Sequence, residues 1–114
     1  MDSNTRKVNI RYRDDKAILD LYGEINAFAD QALTSAYAEA EAHGTDTIVL
    51  NFENVEYINS TGIALIVEML AQARKNKKNL VVYGLSDHYV EIFTLTRLAD
   101  FMTIYESEAN ALAG

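Results

Sequence analysis

The sequence predicts a single α/β domain with a mixed sheet of four to five strands, an antiparallel hairpin at its N-terminal end and about four helices. Three observations predict it. Two strand-like runs near the start are separated only by the polar turn Asp14-Asp15-Lys16, and so short a connection makes a hairpin. Beyond them, β-branched apolar runs alternate with stretches of helical period; strands separated by a helix are normally parallel and joined by right-handed crossovers. Finally, 114 residues with 49% hydrophobic and 24% charged side chains describe one globular domain with a proper core and little chain left for a second.

Val8-Asn9-Ile10-Arg11-Tyr12-Arg13 alternates apolar and polar residues, the period of a strand wet on one face or lying at an edge. Residues 1–6 are expected to be a flexible tail ahead of it. Ala17 to Tyr22 is the second strand, ended by Gly23. A helix is expected from about Ala27 to Ala42, with Asn26 as N-cap. Phe28, Ala32, Leu33, Ala36, Tyr37 and Ala40 share its apolar side, with Asp30, Gln31, Glu39 and Glu41 opposite, and Gly44 stands where a helix usually ends.

Thr47 to Phe52 is β-branched and largely apolar, as a central strand covered on both faces should be. A loop containing Glu53, Asn54 and Glu56 leads to a second helix, which begins at Ser60 or Thr61 and ends near Asn76. Its apolar side includes Ile63, Ile66, Val67 and Leu70. Asn79 to Gly84 is the next strand, Asp87 to Thr94 a third helix and Met102 to Tyr105 a short final strand. Ser107 caps a last helical turn through Leu112.

Composition excludes several functions. With no cysteine, disulfides, thiolate metal sites and cysteine nucleophiles are ruled out. Only His43 and His88 are available for a zinc site or a serine–histidine relay. The longest apolar run, Gly62 to Val67, falls far short of a membrane span, and Met-Asp-Ser-Asn-Thr-Arg-Lys at the N-terminus leads into no apolar segment of the kind a signal peptide needs. A cytoplasmic protein without membrane insertion is expected. The formal charge is −7, from 10 basic and 17 acidic residues, which speaks against a nucleic-acid partner, since such binders neutralise phosphates. The one basic cluster, Arg74, Lys75, Lys77 and Lys78, sits where a helix ends, and cations there favour the helix dipole.

In parallel sheets, sites lie beyond the carboxyl ends of the strands. Two connections stand there: Gly23-Glu24-Ile25-Asn26, and the segment from Glu53 to Gly62. Neither holds a glycine-rich, lysine-containing phosphate loop. Glu24, Glu53 and Glu56 have no histidine or lysine beside them to complete an acid–base pair, so no catalytic residue, metal ligand or cofactor is assigned. Asn59-Ser60-Thr61-Gly62 is more informative. As a helix start it offers three capping residue types. The same geometry places a hydroxyl where backbone donors and the dipole welcome an anion, so a phosphate added there is tolerated by the helix and felt by any partner.

The stretch from Ile48 to Ala64, with Asn59-Ser60-Thr61-Gly62 opening its helix, resembles the signature of the STAS family, in particular the bacterial anti-sigma factor antagonists. Leu21-Tyr22-Gly23-Glu24-Ile25-Asn26 resembles the family's Gly-Glu-Leu/Ile-Asp loop. Phe93 to Phe101 is similar to its late Leu-Thr-Gly-Leu segment, and Ile104-Tyr105-Glu106-Ser107 to its closing strand and cap. The resemblance implies a single STAS-like domain that acts by binding and is not an enzyme. It implies an anti-sigma factor with serine kinase activity as partner, phosphorylation at Ser60 (with Thr61 as second choice) as the off-switch, and a serine phosphatase that restores binding. The implied contact surface comprises Glu24, Asn26, Asn59, Ser60, Thr61 and Gly62, on a protein that is a monomer when free. Asn26 and Asn59 stand where the family usually has aspartate, and Arg97 where it usually has glycine. The two asparagines remove negative charge beside the phosphate site. The alternatives are an unphosphorylated STAS accessory subunit binding the ATPase of a lipid transporter, and a STAS signalling scaffold.

Overall fold

The computed structural model describes residues 8–113; the tail expected at residues 1–6 lies outside them. β1 (Val8–Arg13) and β2 (Lys16–Ile25) form the expected antiparallel hairpin across Asp14 and Asp15. Asp14 takes the positive φ of 55° at this turn, a region that aspartate enters more readily than most residues. β3 (Thr47–Ile58), β4 (Asn79–Tyr83) and β5 (Thr103–Tyr105) then join in sequence order, each parallel to the strand before it. The crossovers are made by α1 (Asp30–Ala42), α2 (Ser60–Lys75) and α3 (Asp87–Leu95), and α4 (Glu108–Ala113) comes after β5.

Strands laid down in sequence order by right-handed crossovers put every crossover helix on the same face. The packing obeys that rule. Ala17, Leu19, Leu21, Ile48, Leu50, Leu80 and Val82 point to the side where α1, α2 and α3 contribute Leu33, Tyr37, Ile66, Leu70 and Phe93. The alternate residues Ile18, Val49, Val81 and Tyr83 form a second cluster on the other side, closed by Ala111 of α4.

The short α4 cannot cover that second face alone, and a polar network completes it. Asp20, 5% exposed, accepts from Arg11 Nε at 2.7 Å and Nη2 at 2.8 Å, and from Asn51 Nδ2 at 2.8 Å. The same guanidinium donates to Glu108 at 2.8 and 3.2 Å, and Tyr83 Oη donates to Glu108 at 2.6 Å. Arg11 thus ties β1 to β2 and to α4, and on the side of β1 read in the sequence as a wet face it is held in two ion pairs. No buried side-chain nitrogen or oxygen lacks a partner among the described residues, the condition under which such a network holds together.

Four sequence expectations are revised. Gly23 does not end β2, and Glu53 to Ile58 is not a loop. The two segments pair as a ribbon through Tyr22–Asn54, Gly23–Val55, Glu24–Tyr57 and Ile25–Ile58, with register shifts at Asp20/Tyr22 and Gly23/Glu24. Charged residues are no obstacle to a ribbon whose charged side chains stay in water. Phe28, expected on the apolar side of a helix, is 88% exposed. Ala27–Ala29 form a 3-10 turn and the α-helix starts only at Asp30; with about three residues per turn, that segment rotates Phe28 off the buried face. Val67 is likewise 44% exposed, at the border of the stripe that buries Ile66 and Leu70.

The unusual Arg97 acquires a physical account. It lies just past the C-terminus of α3 with φ 69°, the left-handed position that glycine ordinarily fills after a helix. Its ion pair with Asp100 at 2.6 Å is solvent-exposed and offsets little of that strain. Gly62 has the opposite constraint. Its backbone is an ordinary helix, but a Cβ there would run into the Ile25 carbonyl oxygen and lie 2.9 Å from Ile58 Cγ2, so only glycine lets α2 start against the end of the ribbon.

These contacts can be tested by stability measurements. Asp20→Ala is expected to cost about 3 kcal/mol, because it strands the donors of Arg11 and Asn51, whereas the half-exposed Glu108→Ala costs about 1 kcal/mol; urea unfolding measures both. Glu108 is held down to about 2 by Arg11 and then by Tyr83. At Asp20 desolvation pushes up but Arg11 and Asn51 outweigh it, leaving a net lowering. Both folded-state values are depressed, so their stabilisation is present above about pH 4 and is lost as pH falls toward 2. Unfolding midpoints recorded across that window are expected to fall more steeply for the wild type than for Glu108→Gln. Arg97→Gly is expected to raise the thermal midpoint by a few degrees, and Gly62→Ala to lower stability by about 3 kcal/mol as an overpacking change against backbone.

Candidate functional site

The β2–β3 ribbon ends by setting two asparagines side by side. Asn59 N–H donates to the Ile25 carbonyl at 3.2 Å, immediately before Asn26. Each asparagine has extended backbone and caps the helical segment that it opens. Asn26 Oδ1 accepts from Phe28 N–H at 3.0 Å at the start of the 3-10 turn, and Asn59 Oδ1 accepts from Gly62 N–H at 2.8 Å at the start of α2. Asn26 Nδ2 also donates to Glu24 Oε1 at 3.4 Å. Neutral asparagine caps a helix as well as aspartate does, so both helical segments are capped without a charge.

Because Asn59 takes the capping role, Ser60 and Thr61 are left as the first two residues of α2, both exposed. The backbone N–H groups of this first turn have no intrahelical acceptor, and the dipole is positive there. The Ser60 hydroxyl therefore sits at the positive end of the helix dipole and outside the capping bond. Glu24, Asn26, Asn59, Ser60 and Thr61 are brought to one end of the sheet. Gly62, expected among the contacts, is buried beneath that surface and acts by letting α2 approach Ile25.

The end of β3 is braced from the other side by α3. Tyr89 Oη accepts from Ile58 N–H at 2.8 Å and donates to the Ile58 carbonyl at 3.2 Å. Sequence reasoning missed Tyr89, and no local signal marks it. It also missed two exposed aromatics at this end, Phe28 and Tyr57, the first assigned to the core and the second to a loop; an aromatic two residues after a capping asparagine was the only hint of the first. The carboxylates of Glu24, Glu53 and Glu56 lie at the surface, and among the described residues no three histidine, cysteine or acidic side chains gather where a metal ion could be held. Ser60 makes no hydrogen bond to a basic side chain among the described residues.

Comparison with known proteins places this geometry. A family model described as the STAS domain matches residues 7–111. A protein of Staphylococcus aureus (strain NCTC 8325 / PS 47) named anti-sigma-B factor antagonist is 34% identical over 84 residues, 74% of this chain and 78% of that protein. A protein of the same name from Staphylococcus epidermidis is 31% identical over 93 residues, 82% and 86% of the two chains. The crystal structure of an anti-sigma factor antagonist from Mycobacterium paratuberculosis shares the fold with a TM-score of 0.80 at 20% identity, over 93% of this chain and 90% of that one. The Bacillus cell fate determinant SpoIIAA in its phosphorylated form does so with a TM-score of 0.73 at 18% identity, over 93% and 96%. With a family model matching nearly its whole length and relatives above 30% identity, the chain belongs to the STAS domain family.

Proposed function

We propose that this chain is an anti-sigma factor antagonist controlled at Ser60. Unphosphorylated, it occupies an anti-sigma factor that is also a serine kinase, and so frees a sigma factor. The kinase transfers the γ-phosphoryl group of ATP to Ser60 Oγ with release of ADP, and the contact ends; a serine phosphatase hydrolyses the ester and restores it. The protein acts in the cytoplasm, as a monomer when free, and by binding rather than by catalysis of its own.

The observation that carries this reading is the division of labour at the start of α2. Asn59 makes the capping bond to Gly62 at 2.8 Å, so the neighbouring exposed hydroxyl is not needed for the fold and is available for modification. A phosphate adds about −1.5 to −2 charges at a helix end that tolerates them, and a partner packed on Glu24, Asn26, Asn59, Ser60 and Thr61 would meet a dianion. The switch is local repulsion and bulk, with no rearrangement of the domain. With asparagine at 26 and 59, the phosphate has no carboxylate within its own cap to repel it. The names of the relatives support the same reading.

Glu24, Glu53 and Glu56 make this end acidic, so the partner surface is expected to be basic and binding to weaken as salt rises. The test uses the anti-sigma factor encoded in the same genome. In titration calorimetry the wild type and Ser60→Ala should bind, while Ser60→Asp should lose at least tenfold, about 1.4 kcal/mol, with an unchanged unfolding midpoint. Incubation with ATP should add a single phosphate mapped by mass spectrometry to Ser60. Equal affinity of Ser60→Asp, or a phosphate at Thr61, would overturn the assignment.

A further inference from the structure

A second surface lies along the other half of α2, away from its N-terminus. Between α2 and the segment that comes after α3 runs an apolar groove of about 720 Å³. Its floor is Leu70 and Leu98, both buried, and its walls carry Val67 and Phe101, the latter 53% exposed. Arg74, Lys75 and Arg97 rim it. The Arg74 guanidinium lies over the Phe101 ring, 4.9 Å from its centroid, which fixes the ring as a wall while leaving much of it in contact with water. Lys77, just past the helix end, is exposed as well.

Three basic side chains around one apolar groove stand out in a chain with only 10 basic residues and a net charge of −7. The dipole of α2 accounts for a preference for cations at its end. It does not account for Arg97, which belongs to a different element and sits in a strained conformation on the facing wall. Asp100 pairs with Arg97 Nε, so that part of the rim is partly neutralised and Arg74 and Lys75 carry most of the field.

We propose that this groove docks an acidic amphipathic helix of a partner protein, its apolar side chains seated between Val67 and Phe101 and its carboxylates on Arg74, Lys75 and Arg97. The charge of the rim selects an acidic occupant, and the apolar floor selects one with helically spaced anchors, the helix-in-groove mode of recognition. Nucleic acid is disfavoured because it gains nothing from an apolar floor. A membrane is disfavoured because a flat bilayer leaves a concave groove unfilled, and the protein's net negative charge is repelled by anionic lipid. This surface has the opposite charge to the Ser60 end and does not depend on the anti-sigma reading.

The test needs no natural partner. The 15N-labelled protein is titrated with a synthetic helical peptide carrying leucines at i, i+3, i+4 and i+7 spacing and glutamates on its other face, and with a version having lysine for every glutamate. Amide shifts confined to residues of α2 from Ile63 onward and to Thr96–Phe101 are expected with the acidic peptide alone. Lys75→Glu and Val67→Ser should each weaken that binding at least fivefold while leaving the spectrum of the free protein folded. No shifts, shifts at another surface, or equal response to the lysine peptide would overturn the proposal. So would co-sedimentation with phosphatidylglycerol vesicles that Lys75→Glu abolishes, in the absence of peptide binding.

Discussion

Four strands added in sequence order by right-handed crossovers must place α1, α2 and α3 on a single face of the sheet, and the rest of the molecule is arranged around that one-sided winding. Among the described residues, β1 and α4 are the elements left to serve the opposite face. Arg11 from the first strand and Glu108 from the last helix, 97 residues apart, meet there at 2.8 and 3.2 Å. Asp20 and Asn51 join them from the middle of the sheet. The buried Asp20 would be costly alone; ringed by donors it fixes the register of β1 on β2 and the seat of α4 at once.

The same winding leaves the carboxyl ends of β2 and β3 free to extend beyond the covered sheet as a two-stranded ribbon. That ribbon delivers the site. Ile25 is its pivot, with its carbonyl accepting the Asn59 N–H and passing so close to α2 that only a glycine fits at position 62. The approach brings both capping asparagines to one place and leaves Ser60 at the surface. Tyr89 holds the ribbon's other strand through both polar groups of Ile58, so the exposed hydroxyl rests on braced backbone rather than on a mobile loop.

α2 emerges as the element on which two surfaces meet. Its N-terminus lies among Glu24, Asn26 and the exposed aromatics Phe28 and Tyr57, while its C-terminal half forms a wall of a groove with a basic rim. A partner that covered both would need a complementary charge gradient along its own surface, and such a gradient fixes orientation as well as contact.

The order of elements, the hairpin leading into parallel strands, the cap at Asn26, a capping run at Asn59 to Thr61 and the family signature around Ser60 are all legible in the chain without knowledge of packing; which of the three caps α2 is not. These rest on periodicity and on hydrogen bonds between residues two or three apart, which local pattern carries. The strand extension, the exposure of Phe28 and Val67, the burial of Gly62, the backbone of Arg97 and the Arg11–Asp20–Glu108 network arose from packing instead. Glu53 and Glu56 read as loop because a charged run has no strand period, yet pairing with β2 makes them strand. Arg11 read as solvated because alternation tells which residues share a face and not what comes to rest on it. Most of these outcomes depend on contact between segments far apart in the chain, and the energy of such contacts is absent from any local window of sequence.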